Sequence, residues 1–234
     1  MNVLITFDVE QDCPPFINTC RGVEEGIPKI VDLLRKEDVK ATFFITGEIA
    51  KRYPNMLGEL KEDGHEIGCH GLKHERFDKL SREDAEKRLK EAVKLLGKPK
   101  SFRAPNLKFP MDFYEILANL GIKVDSSKAT YKGFREVRFI NGILEVPVDI
   151  SSIISRLPWK VQLSVHKRIV KKGLAVYMFH PWEFVRMPTH YRMDCWFGTG
   201  NHALKMLTKI IEFYKSMQAE FLTLYEFYKL YVKE

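Results

Sequence analysis

No run of about 18 consecutive apolar residues occurs in this 234-residue chain, so the sequence holds no helix that would cross a membrane. Gly-x-Gly-x-x-Gly and the P-loop pattern are both missing, which leaves a nucleotide-binding fold without local support. Cysteine is scarce: Cys13, Cys20, Cys69 and Cys195 are scattered, with no Cys-x-x-Cys pair. A chain of this length needs no disulfide framework, so reduced thiols are expected. The N-terminus has neither a basic n-region nor a small-residue cleavage site and enters the strand-like run Val3–Asp8 at once. That pattern predicts a cytoplasmic protein. No linker or internal repeat divides the sequence, and one domain over residues 1–234 is expected. The net charge is +7, yet the basic residues are interleaved with acids, as in Arg82-Glu-Asp-Ala-Glu-Lys-Arg88. That is the pattern of solvated helix faces, and no nucleic-acid partner is expected.

What is present is a full apolar complement, 45% of residues, in short strand-like runs alternating with helical patterns. Strands are predicted at Val3–Asp8, Ala41–Thr46, Glu66–His70, Ser101–Ala104, Lys123–Ser126, Ile143–Val148, Ala175–Phe179 and Glu220–Leu224. Helices are predicted at Glu24–Glu37, Ser81–Leu96, Met111–Leu120, Leu157–Lys171 and His202–Met217. Ser81-Arg-Glu-Asp reads as a capping box. This alternation predicts an α/β protein with a mostly parallel sheet. With about seven or eight strands it predicts a single-domain distorted (β/α) barrel, TIM-barrel-like. Functional residues of such barrels gather at the carboxyl ends of strands, where Asp8, His70, Arg103, Asp125 and His180 all fall.

His70-Gly-Leu-Lys-His74 carries the clearest chemistry. Imidazoles at i and i+4 can share one face of a helical turn and converge on one ion. A carboxylate from the Asp8-Val-Glu10 cluster would complete a two-His, one-carboxylate set that leaves a position for water. Asp8 and Glu10, two apart on a strand, share a face, so either can supply that carboxylate, and Asp12 is a third candidate. Trp182 is expected to wall a substrate cleft, and His65 to be structural. The aromatic loop at 189–198 reads as a substrate lid or an oligomer contact; the oligomeric state is left open.

Five blocks, in order, resemble the polysaccharide deacetylase family, carbohydrate esterases with a NodB-type homology domain. They are Thr6-Phe-Asp-Val-Glu10, Gly64-His-Glu-Ile-Gly-Cys-His-Gly-Leu-Lys-His74, Phe102-Arg-Ala-Pro105, Val124-Asp-Ser-Ser127 and Tyr177-Met-Phe-His-Pro-Trp-Glu183. The resemblance implies a distorted (β/α) barrel and metal-dependent hydrolysis of amide C–N bonds other than peptide bonds. The implied reaction is N-deacetylation of an amino sugar or sugar-containing intermediate by a metal-bound water. It implies a divalent metal ion, most simply Zn²⁺, on His70 and His74, with Asp8 as general base. Arg103 would hold that base, His180 would be the general acid, and Asp125 would partner His180. Where many members have a second aspartate as metal ligand this chain has Val9, and Glu10 is the implied replacement. Gly71 stands where a small hydroxyl residue is common, and Asn106 follows Arg103-Ala-Pro in place of Tyr-Gly. The implied partner is a small-molecule or oligosaccharide substrate. Two other readings follow from the same residues: hydrolysis of a cyclic amide or other small C–N compound (allantoinase- or imidase-like), and a non-catalytic carbohydrate-binding relative. Acetate release separates the first reading from these.

Overall fold

A computed structural model describes residues 1–233. In chain order the elements begin β1 (Asn2–Val9), α1 (Ile27–Lys36), β2 (Thr42–Ile45), α2 (Gly47–Arg52), α3 (Pro54–Glu62), β3 (Glu66–Cys69) and α4 (Arg82–Leu95). They continue with β4 (Ser101–Phe102), α5 (Tyr114–Asn119), β5 (Val124–Asp125), β6 (Arg138–Ile140), β7 (Ile143–Glu145), α6 (Ser152–Ser155) and α7 (Trp159–Val170). Last come β8 (Leu174–Phe179), α8 (Met193–Trp196), α9 (Asn201–Lys215), β9 (Glu220–Phe221) and α10 (Leu224–Tyr231). They pack into two compact units, neither continuous in sequence: 1–41 with 150–222, and 42–149 with 223–233.

In the first unit β1 pairs in parallel with β8 from Asn2↔Leu174 to Phe7↔Phe179, and with β9 at Asn2 and Val3. Every residue of β1 after Asn2 is buried. A parallel strand covered on both faces loses the in–out alternation and reads as a continuous apolar run. Two helices with apolar residues at helical spacing supply part of that cover. Ile27, Ile30, Val31 and Leu34 form the buried stripe of α1, and Ala203, Met206, Leu207, Ile210 and Ile211 that of α9.

In the second unit the strands run β6-β7-β5-β4-β3-β2. All pairings are parallel except the β6–β7 hairpin. That hairpin turns on Asn141-Gly142, both at positive φ, the favoured two-residue hairpin signal. Ser81 caps α4 as its sequence predicts, accepting from the Asp84 amide at 3.1 Å.

One composition-based expectation is overturned. Cys13 and Cys195, both in the first unit, are disulfide-bonded across 182 positions, and Cys20 and Cys69 are buried thiols. The expectation of reduced thiols rested on local spacing, and this pairing has none; folding brings the loop after β1 against α8.

Candidate active site

Of the residues singled out above, Asp8, Glu10, His180 and Trp182 belong to the first unit, and His70, His74, Arg103 and Asp125 to the second.

In the first unit Phe7 is in register with Phe179, so Asp8 and His180 follow at the carboxyl ends of adjacent strands. His180 Nδ1 lies 2.7 Å from Glu183 Oε1, and Nε2 lies 3.8 Å from Glu10 Oε1. Burial alone would lower the pKa of this imidazole. The bond to Glu183 and the charges of Glu10, Glu183 and Asp8 outweigh it and push the pKa up to about 9, so His180 is an imidazolium at neutral pH. Trp182 is only 5% exposed and stacks on the His180 ring at 5.3 Å between centroids. It packs with Ile17, Val185 and Met187 beside the disulfide, so what it walls is the ring of His180. Asp12 is committed to the backbone. It accepts from Thr19 Oγ1 at 2.6 Å and from the amides of Arg21 and Gly22 at 2.8 Å each, opening the helical turn that leads to α1. The 189–198 loop is tied down by the disulfide and by Trp196 Nε1, which donates to the Tyr191 carbonyl at 3.1 Å.

In the second unit His70 follows β3, and His74 lies not on a helical turn but in a loop, with Gly71 at φ +81° and His74 at φ +60°. The cause is Glu75, whose carboxylate accepts from the Leu72 and Lys73 amides at 2.9 Å each and winds the loop around itself. The rings still face each other, 5.5 Å between centroids. His70 Nδ1 lies 2.8 Å from the Arg103 carbonyl. A carbonyl only accepts, so Nδ1 carries the proton and Nε2 the lone pair, the tautomer a metal-ligating histidine needs. Arg103 is fully buried over the Phe44 ring, donating through Nε and Nη2 to the Ser126 carbonyl and hydroxyl at 3.0 and 2.9 Å.

Asp125 accepts from Ser127 Oγ at 2.6 Å. It sits in register with Glu145 on the next strand, a residue sequence reasoning did not place at the site. Burial, then the Asp125 charge, raises the Glu145 pKa well above the usual carboxylate range. Tyr114 donates to Glu145 Oε2 at 2.7 Å and the Lys128 amide to Oε1 at 3.0 Å. An acid inside the apolar run Ile143–Val148 was the available signal. For Glu183 there was none beyond its place three residues after His180.

Each unit carries carboxylates and histidines at or after its strand ends, and comparison with known proteins gives the family. The polysaccharide deacetylase family model matches residues 2–124, and the chain belongs to that family. The match takes in Asp8, Glu10, His70, His74 and Arg103, and stops short of Asp125 and His180. The chain is similar to the peptidoglycan-N-acetylglucosamine deacetylase of Bacillus cereus, 34% identical over 86 residues. That alignment covers 35% of this chain and 31% of the relative, so the chain matches about a third of that protein's length. Among solved structures it resembles the Bc1960 peptidoglycan N-acetylglucosamine deacetylase, TM-score 0.63 at 20% identity, covering 95% of this chain and 86% of that one. It equally resembles a CE4 family pseudoenzyme from Bacillus anthracis, TM-score 0.66 at 18% identity, covering 97% of this chain and 64% of that one. These likenesses show the fold, the α/β barrel type expected from the alternation of strands and helices.

Proposed function

We propose that the protein is a metal-dependent hydrolase that removes the acetyl group from an N-acetylated amino sugar. The observation that carries this reading is His180, a cationic imidazole at the end of β8 between Glu183 and Glu10, in a family named for deacetylation.

The residues proposed to supply the donors for a divalent ion are Glu10 from the first unit and His70 and His74 from the second. One carboxylate and two imidazoles, with the His70 tautomer fixed by the Arg103 carbonyl, suit Zn²⁺. Such an ion, when bound, polarises an amide carbonyl and lowers the pKa of water toward neutrality. The chain's own residues move the protons. Asp8 is the proposed base that accepts the proton of the attacking water, and Arg103 is the arginine that the family pattern assigns to that base. His180 donates from Nε2 to the amide nitrogen as the C–N bond breaks, because an amine leaves poorly without a proton.

The test is acetate release from N-acetylglucosamine oligomers by the zinc-supplemented protein. Asp8→Asn is expected to lose about 100-fold or more in kcat while still binding zinc, and His70→Ala with His74→Ala to lose the ion. Near-wild-type turnover by Asp8→Asn rejects the base assignment. Ring-opening of cyclic amides without acetate favours the small-amide reading, and no zinc bound even after reconstitution the non-catalytic one.

A further inference from the structure

Each ring nitrogen of His180 faces a carboxylate of its own unit, and the one on Nδ1 belongs to Glu183. Oε1 of Glu183 accepts from Nδ1 at 2.7 Å and from the His180 backbone amide at 3.1 Å. Its Oε2 lies 3.6 Å from Arg156 Nε, and both side chains are 2% exposed or less. Arg156 is itself fixed from several directions. Nη1 and Nη2 donate to the Phe197 and Asp194 carbonyls at 2.6 and 2.8 Å, and the guanidinium lies 5.4 Å from the Trp182 ring centre. These carbonyls flank Cys195, which the disulfide ties to Cys13.

A plain helix cap does not account for this arrangement. Thr223 and Glu226 cap α10 with the same reciprocal pattern: Glu226 accepts from the Thr223 amide at 2.9 Å and Thr223 Oγ1 from the Glu226 amide at 3.2 Å. There the glutamate is held by the backbone of its own turn. Burying a carboxylate and a guanidinium costs more than a four-residue turn at Pro181–Phe184 can return, so the pair serves what Glu183 touches next, the His180 ring.

We infer that Glu183, held by Arg156, is the positioning residue of His180, the role the family resemblance gives to Asp125. Glu183 fixes the proton on Nδ1 and directs Nε2 to the substrate, as a carboxylate does behind a catalytic histidine. When the amide C–N bond breaks, the Nε2 proton passes to the departing amine. Nδ1 keeps its own proton against Glu183, and solvent re-protonates Nε2. Asp125 keeps its own partners, Ser127 and Glu145. The inference rests on the deacetylase reading.

The experiment compares two substrates. An acetamide needs a protonated leaving group; 4-nitrophenyl acetate does not. In the full zinc-supplemented protein, Glu183→Gln should lose kcat on an N-acetylglucosamine oligomer at least about 30-fold more than on the aryl ester, with KM on the oligomer within about twofold. Equal losses on both substrates, or no loss on either, overturn the proposal. A ¹⁵N-histidine spectrum of the wild-type protein, with His180→Gln for assignment, reads the ring without relying on the variant's folding. A protonated Nδ1 that shifts in Glu183→Gln or in Arg156→Gln supports the role; a neutral ring with its proton on Nε2 overturns it. If the wild type cleaves neither substrate, the deacetylase reading fails, and the spectrum alone decides the geometry.

Discussion

Gly71 is the residue whose backbone the proposed metal site depends on. It holds φ +81°, and a Cβ there would stand 2.6 Å from Glu75 Oε2, the carboxylate that winds the His70–His74 loop. Gly71→Ala therefore meets both a left-handed backbone and a contact it can relieve only by moving Glu75. It is expected to cost about 1–2 kcal/mol or more and to weaken zinc binding, because Glu75 shapes the loop that presents both rings. Thermal denaturation and zinc titration check this; unchanged zinc affinity would separate the loop from the site. Residues like His70, His74, Asp8 and His180 are legible in sequence because their side chains are scarce and chemically distinctive. Glu145 and Glu183 are not, since an acid among 31 Asp and Glu gains meaning only from what folding sets beside it. For Glu145 that is the β5–β7 register, and for Glu183 a buried arginine 27 positions away.

At the level of elements the patterned segments were readable and the short ones were not. All eight expected strands form, and helices such as Ser81–Leu96 are recovered within a residue at each end, because burial enforces their periods. The edge strand β6 is absent from the sequence reading: Arg138 and Phe139 are exposed, so no apolar period marks it. The expected strand Glu220–Leu224 ends at Phe221, where Leu222 and Thr223 lead into α10. Thr223 stops the strand by capping that helix, accepting from the Glu226 amide, while the Leu224 amide donates to Thr42 Oγ1 at 2.8 Å. Thr223→Ala should cost about 1 kcal/mol and lower the Tm by about 2–4 °C, with the proposed deacetylase activity unaffected. Calorimetry checks it; an unchanged Tm would mean that Glu226 and Thr42 hold the helix start unaided.

For the molecule as a whole, acid is the sensitive condition. His166 is fully buried among Trp159, Tyr177, Phe213 and Tyr214, with Nδ1 2.7 Å from Tyr177 Oη. Burial pulls its pKa from 6.5 to about 4. The unfolded chain therefore takes up this proton first. The contribution of this one group is full above about pH 6.5, falls as the pH drops toward 4, and is about 3 kcal/mol smaller once it levels off. Urea midpoints between pH 4.5 and 7.5 should show that slope, and His166→Gln should flatten it; an equal slope in the variant would assign the acid sensitivity elsewhere. The Cys13–Cys195 bond has a consequence of another kind. It closes a covalent ring that contains every residue from 14 to 194, including the uninterrupted stretch Thr42–Asp149 of the second unit. Trypsin cutting once at exposed Arg135 would open that ring without freeing a fragment. The nicked protein should run as one species on a non-reducing gel and as two after reduction. A growing chain cannot close the ring until residue 195 has been made, so all of Thr42–Asp149 is synthesised before the tie that encircles it.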